Sequence, residues 1–229
     1  MSPCLTLYLA NVSCAFVPHS VLLHFDIPVN VFLMKFGPKG VEAADGSMSN
    51  AEYRKINPLG FVPALDADGE VITEIPAILN YISTLKPEAK LFSDSDLGRV
   101  RVAEWLNFLS ARAHAVGFSM TFLPGRYIDD TQQFDKTRAK ERRNIEECLV
   151  HINKRLEGRI FAVGNTLTAA DFYLYIFARW AKEMGFEMEK DFPNYAAFGR
   201  RTERLEGVRE AVKRQDLVLR YAEQGWLAI

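Results

Sequence analysis

The 229-residue sequence predicts an α/β domain followed by an all-α domain. Short β-prone runs alternate with helical apolar patterns in the first 85 residues, whereas no strand signal recurs after the first 96. Between these halves lies a stretch with Pro87, several charges and no apolar period. We therefore predict domains over residues 1–85 and 97–229, joined by a linker over 86–96.

The elements of the first domain begin with a β-α-β unit. Residues 5–9 form a short β-prone run, and 17–25 have apolar residues at helical spacing behind Pro18. A second strand over 29–33 completes the unit, which implies a parallel pair and a right-handed crossover. Residues 37–48 are rich in Gly, Pro and Ala and predict a loop.

The rest of this domain reads as helix, hairpin and helix. We predict a short helix over 49–55, paired strands over 64–66 and 70–73, and a closing helix over 74–85. The resulting order β-α-β-α-β-β-α is typical of a thioredoxin-like domain.

The second domain shows only helical patterns. Apolar stripes over 99–120 and 137–155 predict two helices. Thr168 and Asp171 match a capping box with Asp in place of Glu, and they precede the apolar run 172–180. This run predicts a buried helix at the centre of the domain. Further helices are predicted from Phe192 and over 205–212.

Composition excludes several classes of function. Lys and Arg number 28 against 29 Asp and Glu, so the net charge of −1 gives no basis for binding nucleic acid or anionic membrane. Cys4, Cys14 and Cys148 are odd in number and lack metal-ligand spacing, which indicates free thiols in a reducing compartment. No run reaches the 18 or so apolar residues of a membrane span. We expect a cytoplasmic protein without a metal site.

The clearest functional pattern lies around Val62 and Pro63. A proline at a strand entry cannot donate to the sheet and is a candidate for a cis peptide, which would leave the Val62 backbone free to pair with an extended peptide. Glu74 opens the predicted helix 74–85, whose first N–H groups favour a carboxylate. These features predict a binding site for a small anionic peptide. For Val62 and Pro63 alone, an ordinary strand-entry turn is the alternative.

The reactive group is expected between the first strand and the first helix, because the positive helix end lowers the pKa of a thiol or stabilises a bound thiolate. Asn11, Ser13 and Cys14 occupy this turn. A thiol with a pKa of about 8.5 is only a few per cent ionised at neutral pH, so a shift of one or two units increases the nucleophile about tenfold or more. The alternatives are a buried apolar role for Cys14 and a helix N-cap for Ser13.

These motifs resemble the cytosolic glutathione transferases, and the resemblance covers nearly the whole chain. In that family the loop before a cis-proline pairs with the cysteinyl backbone of glutathione, as Val62 and Pro63 would here. Glu74 matches the acidic residue that holds the γ-glutamyl end. Ile75 stands where Ser or Gly is usual, which removes one hydroxyl contact. The resemblance implies the glutathione transferase fold, glutathione as co-substrate or catalytic cofactor, and a homodimer.

Around the active-site turn the sequence is most similar to the bacterial beta class, in which a cysteine occupies the position of Cys14. The resemblance places His114 near the glutathione sulfur and Trp180 over an electrophile pocket, although core packing is the alternative for both. Lys39 and Arg112 are candidates to reach the glycine carboxylate. The remaining assigned residues are Phe61 for glutathione, and Phe16, Phe118, Met120 and Phe122, together with Arg112, for a hydrophobic substrate pocket.

Four functions follow from this assignment. The leading prediction is a transferase that activates the glutathione thiol and adds it to a hydrophobic electrophile, in detoxification or secondary metabolism. A glutathione-dependent cis-trans isomerase would need the same thiolate. Cys14 would also permit a mixed disulfide with glutathione. A non-catalytic interaction module with the same fold is the alternative from another class.

Overall fold

The computed structural model describes residues 3–221. By internal contacts, residues 3–91 and 203–221 form a first compact unit, and residues 92–202 form a second. The return of residues 203–221 to the first unit has no signal in the sequence pattern. The division into 1–85, 86–96 and 97–229 stays a prediction.

The first unit is built around a five-stranded sheet with strand order β3-β2-β1-β4-β5. Its central strand β1 (Leu5–Ala10) pairs parallel with β2 and antiparallel with β4. Both faces of β1 are buried, because Leu7 and Leu9 point to one side while Tyr8 and Ala10 join a core cluster on the other. The other elements are α1 (Phe16–His24), β2 (Asn30–Gly37), α2 (Asn50–Ile56), β4 (Ala64–Ala67), β5 (Glu70–Thr73) and α3 (Ile75–Leu85). The predicted thioredoxin-like fold is confirmed, with one strand, β3, in addition to the predicted order.

The segment that the sequence predicts as a loop contains a strand. Residues Gly40–Ala43 form β3, which pairs antiparallel with β2 through a tight turn at Pro38 and Lys39. The prediction of a loop over 37–48 is therefore wrong for β3. Short edge strands are stabilised by the pairing itself, so this four-residue strand has little local signal.

The carboxyl-terminal helix α10 (Glu206–Arg214) packs on α1 within the first unit. Gly207 makes this close approach possible, because a Cβ atom there would lie 2.3 Å from the Ser20 carbonyl oxygen. His19 and Gln215 also meet in this contact, with 3.0 Å between Nδ1 and Nε2. Burial lowers the pKa of His19 to about 4.

The second unit is helical, and its centre is α7 (Ala169–Glu183), in which every residue from Ala169 to Ala181 is buried. The predicted buried helix and its capping box are confirmed. No helix in the described part of the chain is long and apolar enough to cross a bilayer. The other elements are α4 (Asp96–Asn107), α5 (Met120–Phe122), α6 (Phe134–Arg155), α8 (Met188–Asp191) and α9 (Pro193–Glu203).

The helix predicted over 99–120 is not a single α-helix. It begins as α4 and continues as a π-helical segment over Phe108–Ser119. A Cβ atom at Gly117 would lie 2.9 Å from the Ile145 side chain, so this segment approaches α6 closely. Apolar periodicity does not distinguish α from π winding, and tertiary packing decides between them.

The buried Asp171 carboxylate connects the start of α7 to the segment that precedes it. It accepts hydrogen bonds from the N–H of Ala162 and from the N–H and hydroxyl of Thr168, at 2.7–2.8 Å. Burial raises the pKa of Asp171 to about 6 despite these three donors.

We expect Asp171→Ala to lower the free energy of unfolding by about 3 kcal/mol, because it leaves buried donors unpaired and removes a helix cap. Urea denaturation followed by circular dichroism measures this loss. Glu52→Ala is the matched control, since Glu52 closes the same kind of capping box on α2 but is solvent-exposed. An equal or larger loss for Glu52→Ala would contradict the importance of burial.

Candidate functional site

Cys14 lies in the turn between β1 and α1, two residues before the helix begins. Its side chain is buried at 8% exposure, and its thiol donates to the Val62 carbonyl oxygen with an Sγ–O distance of 3.5 Å. Strand pairing explains this contact. Because β4 runs antiparallel to β1 with Tyr8 opposite Ala64, the end of β1 lies beside the loop that enters β4. The structure therefore brings two of the predicted site elements together.

Ser13 closes the same turn with its own side chain. Its hydroxyl donates to the Ala10 carbonyl at 2.6 Å and accepts the Ala15 N–H at 3.2 Å. The Ser13 hydroxyl therefore organises the turn before α1, whose N-cap residue is Ala15 and not Ser13. Asn11 is half-buried, and its side chain makes no hydrogen bond within residues 3–221. Val12 follows at a φ of 62°, a costly conformation for a β-branched residue.

The Val62–Pro63 peptide is cis. Val62 is half-buried, and within the described residues its N–H makes no hydrogen bond. The preceding carbonyl, that of Phe61, accepts hydrogen bonds from the Tyr53 hydroxyl and the Asn57 side-chain amide, each at 2.7 Å. The loop thus presents an open backbone donor next to a firmly held carbonyl.

Glu74 is the N-cap residue of α3 and has a φ of 66°. A positive φ costs a non-glycine residue about 1–3 kcal/mol, and such strain concentrates at functional sites. The helix start leaves the N–H groups of Ile75 and Ala77 unbonded within the described chain, while Pro76 has no N–H. Ile75 itself is buried at 4% exposure. Lys39 is exposed at the turn between β2 and β3.

In the second unit, five rings form what we call the aromatic cluster. His114 packs against Phe177 and Trp180, with ring centroids 5.9 and 5.7 Å apart. Trp180 is 4% exposed, whereas Phe122 is 44% exposed and forms the open side of the cluster. His114, Phe118 and Phe122 are four residues apart in sequence, which is about one helical turn, so they lie on the same side of the helical stretch that carries them. The members of the aromatic cluster are His114, Phe118, Phe122, Phe177 and Trp180.

Three residues predicted for the hydrophobic pocket are not members of the aromatic cluster. Arg112 is exposed and pairs with Glu147 of α6 at 3.8 Å, outside the aromatic cluster. Phe16 is wholly buried in the first unit. Met120 begins α5 and is half-buried, next to the cluster in sequence but without a ring to contribute.

The other cysteines and Tyr8 lie outside these groups. Cys4 is exposed, and burial raises the pKa of the Cys148 thiol in the second unit. Burial, and then the nearby Asp66 carboxylate, raises the pKa of Tyr8, whose ring packs against Phe32 in the core. Among residues 3–221, no group of three or more potential metal ligands is found.

The second unit also contains an open cavity of about 960 Å³ between α4 and the end of α6. Arg155 stacks on the Trp105 ring at 3.8 Å, and Arg101 and Arg155 both bind the same Glu104 oxygen, at 3.0 and 3.1 Å. These contacts occupy the central charged groups of the cavity. None of its lining residues is a predicted site residue.

The chain combines a thioredoxin-like unit with a helical unit, which is the architecture of the glutathione transferase fold. Comparisons with known proteins identify the family. The model for the glutathione S-transferase N-terminal domain matches residues 13–85, and that for the glutathione S-transferase C-terminal domain matches 108–206. Glutathione S-transferase GstA of Escherichia coli O157:H7 is 31% identical over 191 residues, covering 82% of this chain and 86% of that relative.

Two solved structures are similar over 93% of this chain and all of theirs. The bacterial beta class glutathione S-transferase of Sphingomonas chungbukensis has a TM-score of 0.77 at 27% identity. A sphingomonad glutathione S-transferase complexed with glutathione has a TM-score of 0.78 at 27% identity. The chain belongs to the glutathione S-transferase family, and the predicted beta-class resemblance and fold are confirmed. The prediction of a glutathione-dependent transferase is confirmed at the level of the family.

Two residues of this site are not predicted as site residues from the sequence. Tyr53 and Asn57 each donate a hydrogen bond to the Phe61 carbonyl. Asn57 directly precedes Pro58, and an Asn-Pro pair favours turn initiation, so this signal was available for Asn57. For Tyr53 there is none, since its hydroxyl reaches a residue that only the fold places nearby.

We expect the His114 imidazole to stay neutral above about pH 5, because burial, and then the nearby Arg126, lowers its pKa to about 4. Since this value lies below the unfolded pKa of about 6.5, His114 favours the folded state above that pH, and this contribution is lost as the pH falls towards 4. An NMR titration of labelled histidines measures the midpoint. A His114 midpoint at pH 6 or above would contradict the burial argument.

Proposed function

We propose that this protein binds glutathione in extended form along Val62, lowers the pKa of its thiol beside Cys14, and transfers the sulfur to a hydrophobic electrophile. One observation carries the proposal. The Cys14 thiol reaches the carbonyl of the residue whose N–H is free. A cysteinyl residue paired with that backbone would therefore have its sulfur close to Cys14 and to the start of α1.

The ends of the tripeptide have matching charges on the first unit. The Glu74 carboxylate is a partner for the α-amino group of the γ-glutamyl residue. The unbonded N–H groups of Ile75 and Ala77 at the start of α3 are donors for its α-carboxylate. Lys39 is the candidate for the glycine carboxylate. The strained Glu74 backbone supports this role, because strain is retained where a function requires the geometry.

The chemistry requires a thiolate and a positioned acceptor. The glutathione S–H loses its proton to solvent water. The positive end of α1 stabilises the sulfur anion, together with the Cys14 S–H once it turns from the Val62 carbonyl to the sulfur. The thiolate electron pair forms the new S–C bond. In a substitution, the electron pair of the broken bond departs with the leaving group. In an addition, the displaced π electron pair of the acceptor takes up a proton. Isomerisation would use the same thiolate, and no described residue favours it over conjugation.

The aromatic cluster is the proposed binding surface for the acceptor. Its rings are apolar and its open side is formed by Phe122, which suits a hydrophobic electrophile. His114 enters this surface as a neutral imidazole, since its pKa is about 4. Phe16 is completely buried and Arg112 is paired with Glu147, so neither is proposed as part of this surface.

A homodimer and a cytoplasmic location also belong to this proposal. Leu97 and Val100 are 65% and 61% exposed on α4, and exposed apolar side chains on one helix support a self-association surface. The relatives described above are bacterial glutathione S-transferases. Detoxification or secondary metabolism fits an enzyme that accepts hydrophobic electrophiles.

We expect calorimetric titration to show binding of reduced glutathione, and Glu74→Gln to weaken it about tenfold or more. The reason is that a hydrogen bond to a charged group contributes about 1.5–3 kcal/mol. Glu70→Gln is the control, because Glu70 is an exposed carboxylate on β5 that has no proposed role. Absence of binding to the wild-type protein would overturn the proposed function.

We expect Ile75→Ser to bind glutathione more tightly than Ile75→Ala, by about two- to tenfold, because serine restores the hydroxyl contact and one net hydrogen bond contributes about 0.5–1.5 kcal/mol. Both substitutions remove the same buried apolar side chain, so their difference isolates the hydroxyl. Equal affinities would show that the ligand does not reach this position.

We expect Cys14→Ala to reduce turnover about tenfold or more at neutral pH and to move the pH-rate profile to higher pH, since a rise of one unit in thiol pKa costs about tenfold in thiolate. Ser13→Ala should mainly lower stability, because its hydroxyl holds Ala10 and Ala15. Steady-state kinetics over pH and a thermal melt separate the two. Full turnover in Cys14→Ala, with loss in Ser13→Ala, would reverse this assignment.

A further inference from the structure

Two buried side chains donate to one carbonyl oxygen at the edge of the site. The Tyr53 hydroxyl and the Asn57 Nδ2 each lie 2.7 Å from the Phe61 oxygen. Tyr53 is completely buried, and Asn57 is 3% exposed. A carbonyl has two lone pairs, so these donors saturate it. Buried hydroxyls and amides require partners, but that requirement alone does not make both donors converge on one atom.

The Phe61 carbonyl and the Val62 N–H belong to the same planar peptide group. In a trans peptide the C=O and N–H point in opposite directions, and the Phe61–Val62 peptide is trans, since the cis bond follows Val62. Two donors that hold the oxygen from one side therefore aim the N–H to the other side. They also polarise the peptide, because hydrogen bonds in a chain strengthen one another, and the N–H becomes a better donor.

The supports of this arrangement are themselves packed or hydrogen-bonded. The Tyr53 ring packs in the core cluster, with its centroid 5.5 Å from that of Tyr8. Asn57 also organises the turn before Phe61: its Oδ1 accepts the Leu59 N–H at 3.2 Å, and its backbone oxygen accepts the Gly60 N–H at 2.8 Å. Burial raises the pKa of Tyr53 far above its usual value, so the hydroxyl stays a donor.

We propose that Tyr53 and Asn57 are positioning residues that aim and polarise the Val62 N–H for glutathione. The inference rests on the proposed function, in which that N–H pairs with the cysteinyl backbone. The backbone pairing stabilises bound glutathione equally in the ground state and in the transition state. Loss of the positioning therefore raises KM for glutathione and leaves kcat unchanged.

The test compares Tyr53→Phe with Tyr8→Phe. Both remove one phenolic oxygen from the same cluster, but the Tyr8 hydroxyl makes no hydrogen bond within the described residues. We expect Tyr53→Phe to weaken glutathione binding and raise its KM about two- to tenfold, the effect of one net hydrogen bond, with unchanged kcat. Tyr8→Phe should leave affinity and KM unchanged. The Val62 amide resonance in a ¹H–¹⁵N spectrum should move upfield only in Tyr53→Phe.

A second variant, Asn57→Asp, is measured at pH 8. It keeps an acceptor for the Leu59 N–H but removes the donor to Phe61, and it should weaken binding at least as much as Tyr53→Phe. A lower melting temperature in Tyr53→Phe with unchanged affinity and unchanged Val62 resonance would show a purely structural role and overturn the inference. So would equal effects of the two tyrosine substitutions.

Failure of the proposed function can be distinguished from failure of the positioning. If the wild-type protein does not bind glutathione, the Val62 resonance still tests the positioning in the free protein. An upfield shift in Tyr53→Phe, absent in Tyr8→Phe, would support the positioning, and no shift would overturn it.

Discussion

Burial of both faces of β1 is the constraint on which the first unit depends. Leu7 on one face and Tyr8 on the other have almost no exposure, so the strand requires a neighbour on each side and a covering layer above and below. Antiparallel pairing with β4 meets this need and also sets the site. It places the turn that contains Cys14 beside Val62, residues that are 48 positions apart in the chain. The packing of the core and the geometry of the site therefore have one cause.

The sequence predicts most of what local chemistry controls. The capping box at Thr168, the hairpin between β4 and β5, and the proline entry to β4 all have short-range signals, and each is present. Cys14 and Val62 could be predicted as site residues, because Cys14 precedes the first helix and Val62 precedes the strand that begins after Pro63. That the thiol would bond to the Val62 carbonyl could not be foreseen, because this contact depends on strand register.

Other features have no local signal. Strand β3 is stabilised by its neighbour β2, and the π-helical winding before Met120 depends on packing against α6. The sequence also does not reveal that Arg112 pairs with Glu147 or that Phe16 is completely buried, although both are predicted to line the pocket. Tyr53 was counted only as part of a short helix. Each of these outcomes is decided by partners distant in sequence, which a single sequence does not reveal.

The first unit is discontinuous along the chain, since it consists of residues 3–91 and 203–221. During synthesis the ribosome must complete the whole helical segment before α10 exists to cover α1. At elongation rates of ~5–20 residues per second, this interval is on the order of ten seconds. Throughout it the sheet and the Cys14 turn can form, but the α1 surface that receives Gly207 stays open to water or to chaperones. The order of translation thus makes this surface the last part of the unit to be closed.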